Sequence, residues 1–209
     1  MLHKYITPLW HVKYNASMDD PKANILQAAS ALFLRGGTGA LSVRAIARQA
    51  GVSTIGIYSH FQGKQGILDA LYIEGFGLVS SAMDVKTVGT SPRSAVLQAS
   101  RNYLDMAEKY EAHYSLIYGK MDGDYLPSSE AQAAGIDAFN VLTELVGTLL
   151  PTAATLARKH DAAIQVWSLI HGFVGLKNHA VAQLVDMSDW KTRAMQAVEI
   201  LVDAIDSHD

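Results

Sequence analysis

The spacing of apolar residues is the feature that most restricts what this chain can fold into. Apolar side chains recur every three or four positions along most of the 209 residues, and strict two-residue alternation is nearly absent. Only five prolines occur, and none of them interrupts an apolar-periodic segment. Because the α-helix has a period of 3.6 residues and the β-strand a period of two, the sequence predicts an all-α fold.

Helix boundaries are indicated by capping residues. Asp20 precedes Pro21 as an N-cap precedes a proline in the first helical position, and Gly36 and Gly37 end the first helix. Similar signals give nine helices in total. Their expected ranges are about 21–36, 43–50, 54–61, 64–83, 92–109, 113–120, 129–150, 161–184 and 189–205.

Charge is distributed unevenly along the chain. The net charge is −3, but residues 1–80 carry seven Lys and Arg against four Asp and Glu, whereas residues 81–209 carry ten against sixteen. A basic first part and an acidic second part suggest two tasks on one chain, the first of them compatible with nucleic acid.

Composition excludes several classes of function. The chain has no cysteine, which removes disulfides, thiolate metal sites and cysteine catalysis. No run of 18 consecutive apolar residues occurs and the N-terminus has no apolar signal region, so we expect no membrane span, no export and a cytoplasmic protein. No nucleophile, base and orienting group occur at a usable spacing, so we predict neither an enzyme nor a cofactor.

Metal binding is also not expected. His171 and His179 are the only histidines at a spacing that suits one helix, and eight residues place them about 12 Å apart, too far to share an ion. Asp122 and Asp124 lie in a glycine-containing loop, where a solvated turn is favoured over a cation site.

A helix-turn-helix pattern occupies residues 42–61. Ser42 caps a helix from Val43 to Ala50, Gly51 supplies a sharp turn, and Ser53 caps a second helix from Thr54 to Phe61. Two short helices joined by a three- or four-residue turn with glycine are typical of DNA-binding motifs, although a solvated helical hairpin in an ordinary bundle has the same pattern. Small polar side chains on the second helix suit base edges and phosphates in a major groove.

The same segment resembles the DNA-binding domain of the TetR family of transcriptional regulators. The resemblance covers about Ile25 to Leu71 and rests on the sequence AIARQAGVS at residues 45–53, the Tyr-Ser-His-Phe exit at residues 58–61, and the following Lys64. It implies an N-terminal three-helix DNA-binding domain followed by a larger helical domain that binds an effector and dimerises. The corresponding ranges are 20–66 and 67–209, after an N-terminal extension at 1–19 that we expect to be flexible.

The resemblance also assigns roles to individual residues. Those expected to face bases are Arg44, Thr54, Ile55, Gly56 and Ser59. Those expected to hold backbone phosphates are Ser42, Ser53, Tyr58, His60 and Lys64. Gly63 and Gly66 depart from the family pattern, and Gly66 falls in the first turn of the fourth helix, where glycine costs about 1 kcal/mol.

The second part of the chain carries a further resemblance. Trp167, His171 and Gly172 are similar to the Trp-x-x-x-His-Gly signature of one TetR C-terminal subtype. Aromatic residues of helices five to eight could line a cavity for a hydrophobic or aromatic effector. The expected ligand-binding residues are Tyr103, Tyr110, Tyr114, Tyr118, Phe139, Trp167 and His171. For His171, a packed core histidine is favoured over ligand contact.

Dimerisation is expected because one chain has one helix-turn-helix, whereas a palindromic operator needs two recognition helices about 34–36 Å apart or a multiple of that. A stripe on the ninth helix is the expected interface. It consists of Trp190, Ala194, Ala197, Val198, Leu201 and Ile205. The sequence therefore predicts a homodimeric repressor of a palindromic double-stranded DNA operator, released by a small molecule. The alternative is a helical small-molecule sensor with weak or lost operator binding.

Overall fold

The computed structural model describes residues 20–119 and 125–206, and within these ranges the chain forms nine α-helices and no β-strand. The all-α prediction is confirmed. The extension at 1–19 and the loop aspartates at 122 and 124 lie outside the described residues. The helices are α1 (Pro21–Gly36), α2 (Val43–Ala50), α3 (Thr54–Phe61), α4 (Lys64–Met83), α5 (Pro92–Lys109), α6 (Glu111–Tyr118), α7 (Ser129–Gly147), α8 (Leu156–Asn178) and α9 (Trp190–Asp206).

Side-chain caps begin the first three helices where they were expected. The side-chain oxygens of Asp20, Ser42 and Ser53 each accept a hydrogen bond from a backbone N–H two or three residues further on, at 2.9, 3.1 and 3.1 Å. Gly51 ends α2 in the left-handed conformation, with φ 69°. Because these bonds join residues close in sequence, the start of each helix is determined locally.

Four later helices differ from their expected ranges: α6 lies two residues earlier at both ends, α7 ends three residues earlier, and α8 and α9 also have other bounds. Helix α8 begins five residues earlier, because Thr155 caps it by accepting a hydrogen bond from the Arg158 amide at 3.3 Å. It ends at Asn178, and residues 180–183 form a 3₁₀ turn instead of continuing the helix. Helix α9 begins at Trp190 instead of directly after Ser188, whose amide donates to the Asp186 carboxylate at 2.9 Å.

The chain divides into two compact units. Among the described residues, the first takes 20–77, 112–119 and 125–132, and the second takes 78–111 and 133–206. The core of the first unit contains Ile25, Ile46 and Ile57 from α1, α2 and α3, together with Leu116 of α6. Helix α6 therefore folds with the helix-turn-helix, a packing that the expected division at residues 66 and 67 did not include.

The start of α7 is also fastened inside the first unit. The Asp69 carboxylate on α4 accepts hydrogen bonds from the Tyr125 hydroxyl at 2.9 Å and the Ser128 amide at 3.0 Å. Gln65, one turn earlier, donates to the Leu126 carbonyl at 2.8 Å. Burial and the bond to Asp69 both raise the pKa of Tyr125, so its hydroxyl stays protonated and remains a donor.

The second unit is built around α5, α8 and α9. Its core includes Val96 of α5, Val166 and Val174 of α8, and Val198 of α9. Ion pairs join α5 to α9 at the surface. Arg93 donates to Asp203 at 2.6 Å, and the Lys191 ammonium lies 2.7 Å from Asp105 and 2.6 Å from Glu108.

Helix α4 is long and apolar enough to cross a membrane by length and composition alone, with a mean hydropathy of 1.2 over 18 residues. This helix was not expected from the sequence to be a membrane-span candidate, because it contains no run of 18 consecutive apolar residues. Half of that window is buried inside the protein, and Ile67, Leu68 and Leu71 belong to the core of the first unit. Packing within the protein accounts for the apolar character of α4.

Candidate nucleic-acid interface

The helix-turn-helix is held together from its inner side. Ile46 and Ala47 of α2 and Ile57 of α3 are buried, and Val52 in the turn packs against the same core. This packing fixes the angle between the two helices and leaves their opposite faces exposed.

The residues expected to face bases lie mainly on that exposed side. Arg44, Thr54, Ile55 and Ser59 are exposed, and Gly56 is half-buried. Ile55 is 78% exposed, whereas Ile57, two positions later on the same helix, is completely buried. The structure thus presents the aliphatic side chain of Ile55 outward from α3.

The residues expected to hold phosphates have varied surroundings. Tyr58 and His60 are exposed on α3. Ser42 and Ser53 use their hydroxyl oxygens as helix caps, which leaves each hydroxyl proton available for donation. They stand at the N-termini of α2 and α3, where the helix dipole favours an anion.

Lys64 has a structural contact that sequence reasoning missed. Its ammonium donates to the Thr38 carbonyl at 2.8 Å and ties the start of α4 to the 3₁₀ turn at residues 37–40. The contact joins residues 26 positions apart, so no local pattern could reveal it. An ammonium has three donor protons, so Lys64 can hold this carbonyl and still bind a phosphate.

Positive charge dominates this part of the protein. Residues 21–68 contain five Lys and Arg and no Asp or Glu. Arg48 lies one helical turn after Arg44 on the exposed face of α2, a second cation to which no DNA contact had been assigned. The surface around the helix-turn-helix therefore has the electrostatic character that attracts a polyanion.

The structure explains why glycine occupies positions 63 and 66, where this sequence departs from the family pattern. Gly63 has φ 112°, a conformation that other residues rarely adopt. A Cβ atom on Gly66 would lie 1.8 Å from the carbonyl oxygen of Phe61. Gly66 therefore allows α4 to approach the end of α3 closely.

The aromatic residues expected to bind an effector fall in both units. In the first unit, the rings of Tyr114 and Tyr118 are 4.9 Å apart, and Tyr118 contacts Phe76 edge-on at 5.8 Å. Tyr72 lies 5.0 Å from Phe76 and 6.2 Å from Tyr125, which extends this aromatic row along α4. Tyr114 and Tyr118 thus have a packing role within the first unit.

The remaining members belong to the second unit. The Trp167 ring lies 6.2 Å from Phe139 and 6.1 Å from His171, and Phe139 also lies 5.5 Å from His160. Burial lowers the pKa of His171, which favours the neutral imidazole. Tyr103 is buried in α5, and Tyr110 caps its C-terminus beneath the ammonium of Lys109.

The expected dimer stripe on α9 needs correction. Trp190, Ala194 and Val198 are 6%, 0% and 0% exposed in the single chain, because α9 buries this side against its own unit. They are not accessible to a partner. Ala197, Leu201 and Ile205 remain partly exposed, and the last two line a groove of about 310 Å³ between α8 and α9.

Comparison with known proteins identifies both parts of the chain. Residues 25–71 match the family model described as bacterial regulatory proteins of the tetR family. Residues 96–205, more than half of the chain, match the model described as a tetracyclin repressor-like C-terminal domain. An uncharacterized HTH-type transcriptional regulator of Mycobacterium tuberculosis is 24% identical over 169 residues, which cover 79% of this chain and 73% of the relative.

Solved structures have the same fold. A protein of unknown function from Rhodococcus sp. RHA1 has a TM-score of 0.71 and 19% identity, with 92% of this chain and 98% of the other covered. The TetR family transcriptional regulator PfmR from Thermus thermophilus has a TM-score of 0.61 and 19% identity, with coverages of 88% and 94%. At these identities the likeness concerns the fold alone.

Proposed function

Because this chain belongs to the TetR family of bacterial regulatory proteins, we propose that it is a cytoplasmic homodimeric repressor that leaves a palindromic operator when a small molecule binds. Its DNA-binding and regulatory domains identify a transcriptional regulator, and such regulators are typically not enzymes. What we propose is that the protein represses transcription, that its operator is palindromic and that a small-molecule effector releases it.

The proposal of DNA binding is supported by the shape and the charge of the helix-turn-helix segment in the first unit. The face of α2 and α3 that carries Arg44, Thr54 and Ser59 is exposed, and residues 21–68 contain cations but no carboxylate side chain. The whole chain is nevertheless acidic, at −3. Binding to DNA is therefore expected from this one surface, with a net charge that opposes non-specific attachment elsewhere.

A second copy is needed to read both halves of a palindrome. The groove between α8 and α9 is lined by Leu201 and Ile205 from α9 and by Ala162 and Gln165 from α8. Ile164 and Ile200 are exposed on the same two helices. Packing these two helices against their symmetry mates would bury this apolar surface in a four-helix interface.

For the effector we propose a hydrophobic or aromatic compound bound beside Phe139, Trp167 and His171. The aromatic rings offer apolar area, and a neutral imidazole has one hydrogen-bond donor and one acceptor. The Trp-x-x-x-His-Gly resemblance supports the same place. A packed core histidine is the alternative role for His171.

Signal transfer would use helices that belong to both units. Helix α4 begins at Lys64 in the first unit and ends at Met83 in the second, and α7 begins in the first and ends in the second. An effector that prefers the released state by about 1–3 kcal/mol would weaken operator binding by about 5- to 150-fold.

A salt-dependent gel shift on the protein's own promoter region tests DNA binding. We expect a shifted complex whose affinity falls steeply as salt rises from about 50 to 200 mM, because counterions are released from the contacted phosphates. Absence of any specific complex at low salt would favour the alternative, a helical sensor that has lost operator binding.

A further inference from the structure

The exposed face of α3 has an unusual chemistry for a helix that reads DNA. Residues Thr54–Phe61, all of which the structure describes, include no Arg, Lys, Asn, Gln, Asp or Glu. Those are the side chains that read guanine, adenine and cytosine through hydrogen bonds in the major groove. Helix α3 therefore lacks the groups for bidentate recognition of a purine.

Its small polar groups are already partly engaged with the backbone. The Ser59 hydroxyl donates to the Gly56 carbonyl at 3.0 Å, and the Ser53 oxygen accepts from the Gly56 amide at 3.1 Å. Thr54 is exposed. Apart from Tyr58 and His60, which are expected to hold phosphates, the exposed polar side chains of α3 are short and offer one hydroxyl each.

Ile55 stands out against this background. At 78% exposure it is a large apolar side chain directed away from the core, next to Thr54 and one turn before Ser59. The surrounding segment, residues 21–68, carries five cations and no carboxylate side chain, which suits a polyanion. Charge complementarity thus identifies the occupant of this face as a DNA duplex, and an apolar side chain that meets a major groove finds one apolar group there, the C5 methyl of thymine.

We propose that Ile55 is a specificity-determining residue that contacts a thymine methyl group, so that each operator half-site has a thymine opposite it. This inference rests on the proposed DNA-binding function. Purine recognition then falls to residues outside α3, and Arg44 on α2 has the side chain suited to guanine.

The test uses a random-sequence duplex pool selected with the full-length protein. The selected pool is amplified with either dTTP or dUTP, giving the same sequences with and without the thymine methyl groups. Wild-type protein should bind the dU pool about fourfold more weakly for each methyl group contacted, or about fifteenfold for two symmetrical half-sites.

Two variants make the result specific. Ile55→Ala should bind the dT pool more weakly and should bind the dT and dU pools with nearly equal affinity. Ile136→Ala removes an isoleucine that is 62% exposed on α7 and should keep the full wild-type ratio. Thermal melts of both variants check that the fold is intact.

The possible outcomes distinguish a failure of DNA binding from a failure of the thymine contact. If no sequence is enriched from the pool, the proposed DNA-binding function itself fails. If sequences are enriched but wild type and Ile55→Ala discriminate dT from dU equally, DNA binding stands and the thymine contact of Ile55 is overturned.

Discussion

At the scale of single residues, the proposed DNA-binding face contains side chains of two kinds. Arg44 and Ile55 are exposed. Within the described part of the chain, the guanidinium group of Arg44 makes no hydrogen bond or ion pair. Lys64, in contrast, is half-buried and bonded to the Thr38 carbonyl. From this difference we expect Arg44 and Ile55 to select bases and Lys64 to bind the phosphate backbone of DNA.

We predict that Lys64→Ala weakens binding to all DNA sequences alike and lowers the salt slope by about one unit per half-site, because one phosphate contact is lost. Arg44→Ala should instead relax sequence preference. Binding isotherms at several salt concentrations, on a specific and a scrambled duplex, measure both effects. A thermal melt of Lys64→Ala is needed as well, because the bond to Thr38 is also lost. A change of preferred sequence in Lys64→Ala would contradict this division of roles.

His171 gives a prediction about pH. Because burial lowers its pKa in the folded protein, the unfolded chain binds a proton at higher pH than the native one. The free energy of unfolding should therefore decrease as pH falls below about 6.5, the ordinary histidine value, until the folded-state pKa is passed. His171→Phe should remove this part of the slope, measured by urea unfolding between about pH 5 and 8. Identical slopes for wild type and variant would show that His171 is not responsible.

At the scale of secondary-structure elements, α4 is the helix on which the first unit is assembled. Its Gly66 meets the end of α3, Asp69 holds the segment before α7, and Gly75 meets α6. A Cβ on Gly75 would lie 2.8 Å from the Ile117 side chain. Alanine at Gly75 would therefore disturb the packing of α6 against α4.

Gly66→Ala tests the joint between α3 and α4 through the sign of its effect. Helix propensity alone favours alanine by about 1 kcal/mol, but the Phe61 carbonyl occupies the space that the methyl group needs. We expect a loss of about 1–3 kcal/mol in the free energy of unfolding, as for other overpacked sites. Gly175→Ala in α8, whose Cβ position is open, is the matched control and should be neutral or stabilising. Stabilisation by Gly66→Ala would mean that the joint adjusts easily.

At the scale of the whole molecule, dimerisation decides whether one recognition helix per chain can read a palindrome. The choice of interface residues depends on which side of α9 is buried in the chain itself. Val198 is completely buried, so an aspartate there would unfold the second unit without testing the interface.

Leu201→Asp together with Ile205→Asp should yield a folded monomer with little operator affinity, because both side chains line the open groove between α8 and α9. Sedimentation at micromolar concentration and circular dichroism measure assembly and folding separately. Ile136→Asp, at an exposed position on α7, is the control and should leave the dimer intact. A stable wild-type monomer under these conditions would disprove the dimer proposal.

Structural elements that depend on near neighbours were the ones that local sequence patterns predicted. Ser42 and Ser53 cap helices by bonding amides three residues away, Gly51 turns the chain, and the apolar period orients each helix. These interactions are complete within about one helical turn, so the helix-turn-helix and its outward residues could be predicted.

Contacts between segments distant in sequence were revealed only by the tertiary structure. It placed α6 with the helix-turn-helix, bonded Lys64 to Thr38, and buried Trp190, Ala194 and Val198 of α9 while leaving Leu201 and Ile205 in a groove. An amphipathic stripe shows that a helix has an apolar side, but it does not show whether the chain's own core or a partner covers that side. Only the packing of α9 against residues far away in the sequence answers that question.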